Sequence, residues 1–140
     1  MTLFASPVES PRDVCVRIAF RYLLITIFSA LFGAVYELFS HGVYANGMLY
    51  GFAFPLIGGV LPSLLLLVRG AKLPSDTARQ LWHFGISALT VGSLFSGALE
   101  IYGTSSPLTF VYWLSGGVCL LLSVLTALLL PGKDREITAK

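Results

Sequence analysis

The segment that decides the fold is SALFGAVYELFSH, residues 29–41, an apolar run that carries one carboxylate, Glu37. Its composition predicts the outer half of a helix that crosses a membrane. An ionisable side chain inside a bilayer helix costs free energy, and such residues commonly mark substrate or ion sites. Glu37 is therefore the first candidate site residue in the chain.

The composition of the whole chain is that of an integral membrane protein. Of its 140 residues, 56% are hydrophobic and 11% are charged, whereas a soluble domain carries about 25% charged residues. The apolar residues form four blocks of roughly 20 residues, the length that crosses about 30 Å of hydrocarbon. The pattern predicts an all-α bundle of four transmembrane helices, with spans 1 to 4 at residues 17–40, 47–68, 81–102 and 108–130.

The connections between these spans predict how the chain is organised and oriented. Short connections join span 1 to span 2 and span 3 to span 4, which predicts two helical hairpins. All nine Lys and Arg residues lie in the N-terminal region, in the middle connection or in the C-terminal tail. By the positive-inside rule, both termini and the middle connection are predicted to be cytoplasmic, with tails at residues 1–16 and 131–140. We expect a multi-pass protein of the cytoplasmic (inner) cell membrane.

Span 2 contains an irregular segment at its centre. Prolines and glycines that disfavour a straight helix are concentrated there: Pro55, Gly58, Gly59 and Pro62. A proline in a helix interior removes a backbone hydrogen bond and kinks the helix. One interpretation is a kinked helix that is tolerated for packing. The other is a broken helix whose freed carbonyl groups line a cavity, as in discontinuous transporter helices.

Two segments of the chain resemble each other at an offset of 63 residues. Residues 31–40, LFGAVYELFS, align with residues 94–103, LFSGALEIYG, and Leu, Phe and Glu are identical in the two segments. The similarity predicts a parallel internal repeat about an axis along the membrane normal, and chance similarity between apolar segments is the alternative. On either interpretation Glu37 and Glu100 lie at equivalent depths near the outer surface.

Small residues recur at helical spacing on the faces that carry the two acids. In span 1 these are Ser29 and Gly33. In span 3 the corresponding helix-packing residues are Gly85, Gly92 and Ser96. Small side chains let helices approach closely in lipid. The pattern predicts that spans 1 and 3 pack through these faces and bring Glu37 near Glu100.

Glu37, Glu100 and His41 form the predicted polar pocket near the outer face. No Lys or Arg lies at that depth, and two carboxylates in a low-dielectric site cannot both stay charged cheaply. They would share a proton, bind a cation, hydrogen-bond to hydroxyl groups or be reached by water. A Glu/Glu/His set also resembles a metal site, although the spacing does not identify a metal. The structural alternative is that the acids reach water or headgroups and that His41 is interfacial.

The other polar and reactive residues are given simpler interpretations. Trp82 belongs to a predicted aromatic belt at the membrane interface, and His83 beside it is predicted to be interfacial too. Cys15 and Cys119 are far apart in the sequence. Without Cys-x-x-Cys spacing they predict neither a disulfide nor zinc chemistry.

The sequence favours two functions that are not enzymatic. It contains none of the common nucleotide-binding, zinc-protease or serine-hydrolase motifs, and no cofactor is expected. The net charge of +2 gives no indication of nucleic-acid binding. The first hypothesis is a transporter or channel-like homo-oligomer in the lipid bilayer, with the Glu/Glu/His pocket as its polar core. The alternative is an accessory or interaction subunit of a larger membrane complex.

Overall fold

The computed structural model describes residues 10–40, 42, 44–70 and 72–130, and the regular structure within these residues is entirely helical. In chain order the helices are α1 (Pro11–Leu38), α2 (Asn46–Tyr50), α3 (Ala53–Pro55), α4 (Leu61–Arg69), α5 (Asp76–Ile101) and α6 (Leu108–Leu129), with a π-helical turn at Leu56–Val60. Four helical segments are long and apolar enough to cross a membrane: Pro11–Leu38, Asn46–Arg69, Asp76–Ile101 and Leu108–Leu129. The predicted all-α class, with four helices long and apolar enough to cross a membrane, is confirmed. The remainder of the predicted tails, residues 1–9 and 131–140, lies outside the described residues.

α1 begins at Pro11, earlier than the predicted start of span 1 near residue 17. The Ser10 hydroxyl accepts a hydrogen bond from the Asp13 N–H at 3.2 Å, and the Asp13 carboxylate accepts one from the Ser10 N–H at 3.3 Å. This capping box satisfies two donors at the helix start, and a proline is well suited to the first helical position. The last part of the predicted N-terminal tail is therefore helical.

α5 has defined caps at both ends, which fix the position of Glu100. Ser75 accepts a hydrogen bond from the Ala78 N–H at 3.4 Å. At the other end, Gly103 has a φ of +69°, and its N–H donates to the Glu100 carbonyl at 3.0 Å. This is a Schellman motif, in which glycine adopts the left-handed conformation without steric cost.

Span 2 is interrupted at the place where the prolines and glycines predict an irregularity. The short helices α2 and α3 precede the π-helical turn, which contains Gly58 and Gly59 and lies between Pro55 and Pro62. The two prolines cannot donate backbone hydrogen bonds, and the extra residue of a π-turn accommodates the break without ending the helix.

The packing of span 1 differs from the prediction. Gly33 lies against the backbone of Met48, so that an added Cβ would come within 2.8 Å of the Met48 carbonyl oxygen. Gly97 of α5 lies against the same residue, with its Cβ position 2.4 Å from the Met48 nitrogen. Met48 is almost fully buried between the two glycines. The expected direct packing of spans 1 and 3 is therefore wrong over most of their length, because the start of span 2 lies between them.

Two of the predicted packing residues of α5, Gly85 and Gly92, face span 4 instead. Gly85 and Gly116 lie opposite each other, and a Cβ on either would be 3.1 Å from the other's carbonyl oxygen. Gly92 lies beside Tyr112 in the same way. Ser29 is buried in α1, whereas Ser96 is only partly buried in α5. The small residues thus permit close helix approach within the two hairpins and, at Gly97, between them.

Candidate functional site

The structure separates two clusters of polar residues. We call the end of the bundle with Glu37 and Glu100 the acidic end, and the end with Arg17, Arg21 and Arg79 the basic end. Glu37 is the penultimate residue of α1, and Glu100 is the penultimate residue of α5. The two acids therefore occupy equivalent positions in their helices.

The helix ends that carry the acids meet through tyrosines. The rings of Tyr36 and Tyr102 lie edge to face with their centroids 6.5 Å apart. Edge-to-face contact is a favourable geometry for aromatic pairs. Spans 1 and 3 thus touch at this end, although Met48 separates them at the next turns.

At the acidic end, Glu37 carries a side-chain oxygen that has no hydrogen-bond partner within the described part of the chain. Its side chain is partly buried. Among the described residues, Glu37 Oε1 is the one buried side-chain polar atom that makes no hydrogen bond. A buried polar atom without a partner costs about 1–3 kcal/mol, and more when the group is charged. Such atoms are rare in native structures. A carboxylate oxygen without a partner in the protein can bind a proton, a cation or a water molecule.

Glu100 has a different environment from Glu37. It is exposed, and within the described residues no hydrogen bond joins its carboxylate to Glu37. An exposed carboxylate stays hydrated, so its charge needs no partner. The two acids therefore differ in their surroundings, and Glu37 rather than Glu100 is the candidate site residue.

The predicted third member of the pocket, His41, lies outside the described residues. Within the part of the chain that the structure describes, no three His, Cys, Asp or Glu side chains are grouped in a way that would hold a metal ion. The Glu/Glu/His metal set therefore stays a prediction that depends on where His41 lies.

At the basic end, a tyrosine and a histidine join spans 1 and 3. The Tyr22 hydroxyl oxygen and His83 Nδ1 are 2.5 Å apart. The centroids of the two rings are 5.3 Å apart. Tyr22 is buried, and its ring fills the space beside Gly59, where an added Cβ would be 2.1 Å from the ring. The glycine at this point of the π-helical turn is therefore what lets Tyr22 reach His83.

The carbonyl groups of the π-helical turn are capped by side chains. Trp82 Nε1 donates to the Gly58 carbonyl oxygen at 2.6 Å, and the Ser63 hydroxyl donates to the Gly59 carbonyl oxygen at 2.8 Å. Side-chain donors commonly satisfy backbone groups freed by helix breaks in membrane proteins. Trp82 and His83, which the sequence assigned to the interface, thus take part in contacts between helices.

A cavity of about 470 Å³ lies beside these residues. All four spans contribute to its wall, through residues that include Tyr22, Gly59, Trp82 and Ser123. Its volume falls within the range of about 300–1,000 Å³ that is typical of small-molecule sites. The Ser123 hydroxyl donates to the Ala78 carbonyl oxygen at 2.6 Å, so this polar group is satisfied within the protein. The cavity therefore presents a largely apolar surface.

A second cavity of about 370 Å³ adjoins the first. Its wall is polar and includes Arg17, Arg21, Arg79 and Asp76. The two cavities have three residues in common: Ile18, Arg79 and His83. An apolar cavity and a basic cavity thus meet at one wall between spans 1 and 3.

The cluster at the basic end had a signal in the sequence. Tyr22 lies seven residues before Ser29 on the small-residue face of span 1, and the face of span 3 continues from Gly85 back to Trp82 and Ala78. Helical spacing from these small residues therefore indicates that Tyr22 and Trp82 also point into the bundle.

Known proteins give no further guide to the site. Comparisons of this chain with protein-family models, with curated proteins and with solved structures find no match. The functional argument therefore depends on the geometry of the described residues.

Proposed function

We propose that this protein is a transporter or channel-like oligomer that moves a proton or a small cation, with Glu37 as the residue that binds it. The single observation that carries the proposal is the buried Glu37 Oε1 atom without a hydrogen-bond partner among the described residues. A proton or a cation at this oxygen would offset the cost of its burial. Four helices are few to enclose a path, so we propose that copies of the chain associate.

The proposal places the protein in the cytoplasmic membrane with both termini inside the cell. Its support is the distribution of the nine basic residues, none of which falls in the two outer connections. In this orientation Glu37 lies near the outer surface, and exposed Glu100 lies where cations arrive from outside. Its negative charge would attract them toward the site.

The internal repeat belongs to the same proposal. Its support is the equivalent position of Glu37 and Glu100 near the ends of α1 and α5. α1 pairs with the span that follows it, and α5 does the same. Since span 2 is interrupted and span 4 is continuous, the two halves would have diverged at their second helix.

The test is a flux measurement on the purified protein in vesicles that enclose a pH-sensitive dye. A pH gradient is imposed, first alone and then with an opposing Na⁺ or K⁺ gradient. We expect Glu37→Gln to slow the protein-dependent change by about tenfold or more, because an amide neither titrates nor holds a cation as a carboxylate does. The matched control is Glu100→Gln, which removes the same charge at the exposed position and should change the rate by about twofold at most.

Two results would count against the proposal. Wild-type vesicles that respond no faster than protein-free vesicles would contradict transport of these ions. Equal rates for the wild type and Glu37→Gln would remove Glu37 from the mechanism.

The accessory-subunit alternative has weaker support from the geometry. Gly33, Gly85 and Gly92 each lie against a helix of the same chain. They are therefore not left over as packing surfaces for a partner protein. Purification in mild detergent discriminates between the two functions: a homo-oligomer is expected, and one stoichiometric partner would favour the accessory role.

A further inference from the structure

We propose that the two adjoining cavities at the basic end form a binding site for an anionic phospholipid. The phosphodiester would lie against Arg21 and Arg79 in the basic cavity, and one acyl chain would enter the apolar cavity. The site lies at the opposite end of the bundle from Glu37 and does not depend on the transport proposal.

The first reason is the chemistry of the basic cavity. Three arginines and one aspartate line it, and Asp76 pairs with Arg79 through the guanidinium group. Among the described residues no carboxylate pairs with Arg21, so its positive charge on this wall is not neutralised by an ion pair. Guanidinium groups match phosphate oxygens in geometry and remain charged at any physiological pH. Basic pockets between transmembrane helices are known places for anionic lipid headgroups.

The second reason is that the neighbouring cavity suits a hydrocarbon chain. Its wall includes Leu65, Leu66, Val124 and Leu128, which have no polar side-chain atoms. The indole N–H of Trp82, which also lines it, is already engaged by the Gly58 carbonyl. A polar ligand would gain few hydrogen bonds there to replace those it makes with water. An acyl chain that enters from the bilayer makes no hydrogen bonds and so has none to lose.

The third reason is that the two cavities are neighbours. Arg79 and His83 line both, so a headgroup held in the basic cavity would lie beside the apolar cavity that we propose for the acyl chain. A soluble phosphate would use only the basic cavity, and an uncharged lipid would bring no anion to Arg21. An anionic phospholipid offers a phosphate to the basic cavity and a hydrocarbon chain to the apolar cavity.

The two tryptophans of the chain provide a direct test. Trp82 lines the apolar cavity, whereas Trp113 packs edge to face on Phe54. In a Trp113→Phe background, Trp82 becomes the one tryptophan of the chain. The full-length protein is placed in vesicles that contain a phosphatidylglycerol or a phosphatidylcholine with brominated acyl chains, which quench tryptophan at short range.

We expect brominated phosphatidylglycerol to quench Trp82 more strongly than brominated phosphatidylcholine at equal mole fraction. Arg21→Gln and Arg79→Gln should each lower the preference by about fivefold, the effect of one arginine near an anionic lipid surface. Arg12→Gln is the matched control. It removes the same charge from an exposed residue outside both cavities and should keep the preference. Because Arg79 also pairs with Asp76, Arg21→Gln tests the site independently of that contact.

Three outcomes would overturn the proposal. Equal quenching by the two lipids would show that the site does not select an anionic headgroup. An equal loss of preference in Arg12→Gln and Arg21→Gln would reduce the effect to general surface charge. If inorganic phosphate alone raised the unfolding temperature of the detergent-solubilised protein as much as phosphatidylglycerol does, the site would bind a free anion rather than a lipid.

Discussion

The two ends of the bundle hold their polar groups in opposite ways. At the basic end, Tyr22 pairs with His83, and Trp82 donates to the Gly58 carbonyl. At the acidic end, Glu37 Oε1 is buried without a hydrogen-bond partner among the described residues, and Glu100 is exposed. Satisfied polar pairs within a low-dielectric interior fix the arrangement of helices, whereas an unsatisfied group retains capacity for a ligand.

The difference indicates what holds each end together. At the basic end, the Trp82 indole joins span 3 to the backbone of span 2, and the Tyr22–His83 hydrogen bond joins spans 1 and 3. At the acidic end, Met48 lies between Gly33 and Gly97, so that backbone groups are in close contact. Ser93 adds one hydrogen bond there, to the Gly47 carbonyl oxygen at 2.7 Å. Close packing rather than a polar network therefore sets the position of the acids.

The largest expected effect comes from adding one methyl group to the packed acidic end. In Gly97→Ala the new Cβ would lie 2.4 Å from the backbone nitrogen of Met48, which cannot move aside as a side chain can. Overpacking of this kind costs about 1–3 kcal/mol, and we expect the upper part of that range in the free energy of unfolding in detergent.

Gly117→Ala is the control for this prediction. Nothing lies within 4 Å of the Cβ position at Gly117, so the added methyl group causes no clash. We expect the free energy of unfolding to rise by at most roughly 1 kcal/mol, because alanine has a higher helix propensity than glycine. If Gly97→Ala and Gly117→Ala had equal stability, close packing at Met48 would not be what holds the acidic end.

The same packing explains how far the sequence could predict the fold. The four membrane-crossing helices follow from the length and composition of the apolar blocks, since a bilayer admits few other structures. The faces of small residues predicted close approach, but a glycine face fits any neighbouring helix. The identity of the neighbour depends on where Met48 packs, which no local pattern encodes.

The candidate site was predictable to different extents at its two ends. Glu37 is conspicuous in an apolar segment, so the sequence could identify it. Its difference from Glu100 was not predictable, because burial at a helix end depends on how far the neighbouring helices extend. Trp82 and His83 were assigned to the interface, since aromatic residues at the ends of spans usually lie there. Their contacts depend on the π-helical turn that presents the Gly58 carbonyl.

A smaller effect is expected from removing a paired polar group at the basic end. Trp82→Phe would delete the hydrogen bond to the Gly58 carbonyl and leave that oxygen in the π-helical turn without its donor. Hydrogen bonds between membrane helices contribute about 0.6 kcal/mol on average and at most about 1.7 kcal/mol. We expect a loss of about 1–2 kcal/mol in unfolding free energy, which also includes the lost ring volume.

Trp113→Phe controls for the change in ring size. Trp113 packs on Phe54, and its indole makes no hydrogen bond within the described part of the chain. The Trp113→Phe variant should therefore lose less unfolding free energy than the Trp82→Phe variant. An equal loss in the two variants would mean that the hydrogen bond to Gly58 contributes little and that the basic end is held by packing as well.

The smallest expected effect has the opposite sign and tests the acidic end. Glu37→Met replaces the carboxylate with an apolar side chain of similar length and removes the buried oxygen that lacks a partner. Replacing a poorly compensated buried charge with an apolar group is often neutral or stabilising, so we expect a gain of up to about 1 kcal/mol in unfolding free energy. Glu100→Met, at the exposed position, should change stability by less than about 0.5 kcal/mol.

A gain in stability together with lost flux would identify Glu37 as a residue kept for function at a cost to folding. A clear loss of stability in Glu37→Met would mean that a group outside the described residues already satisfies the carboxylate. The contrast between the two ends would then fail, and the transport proposal would lose the observation that carries it.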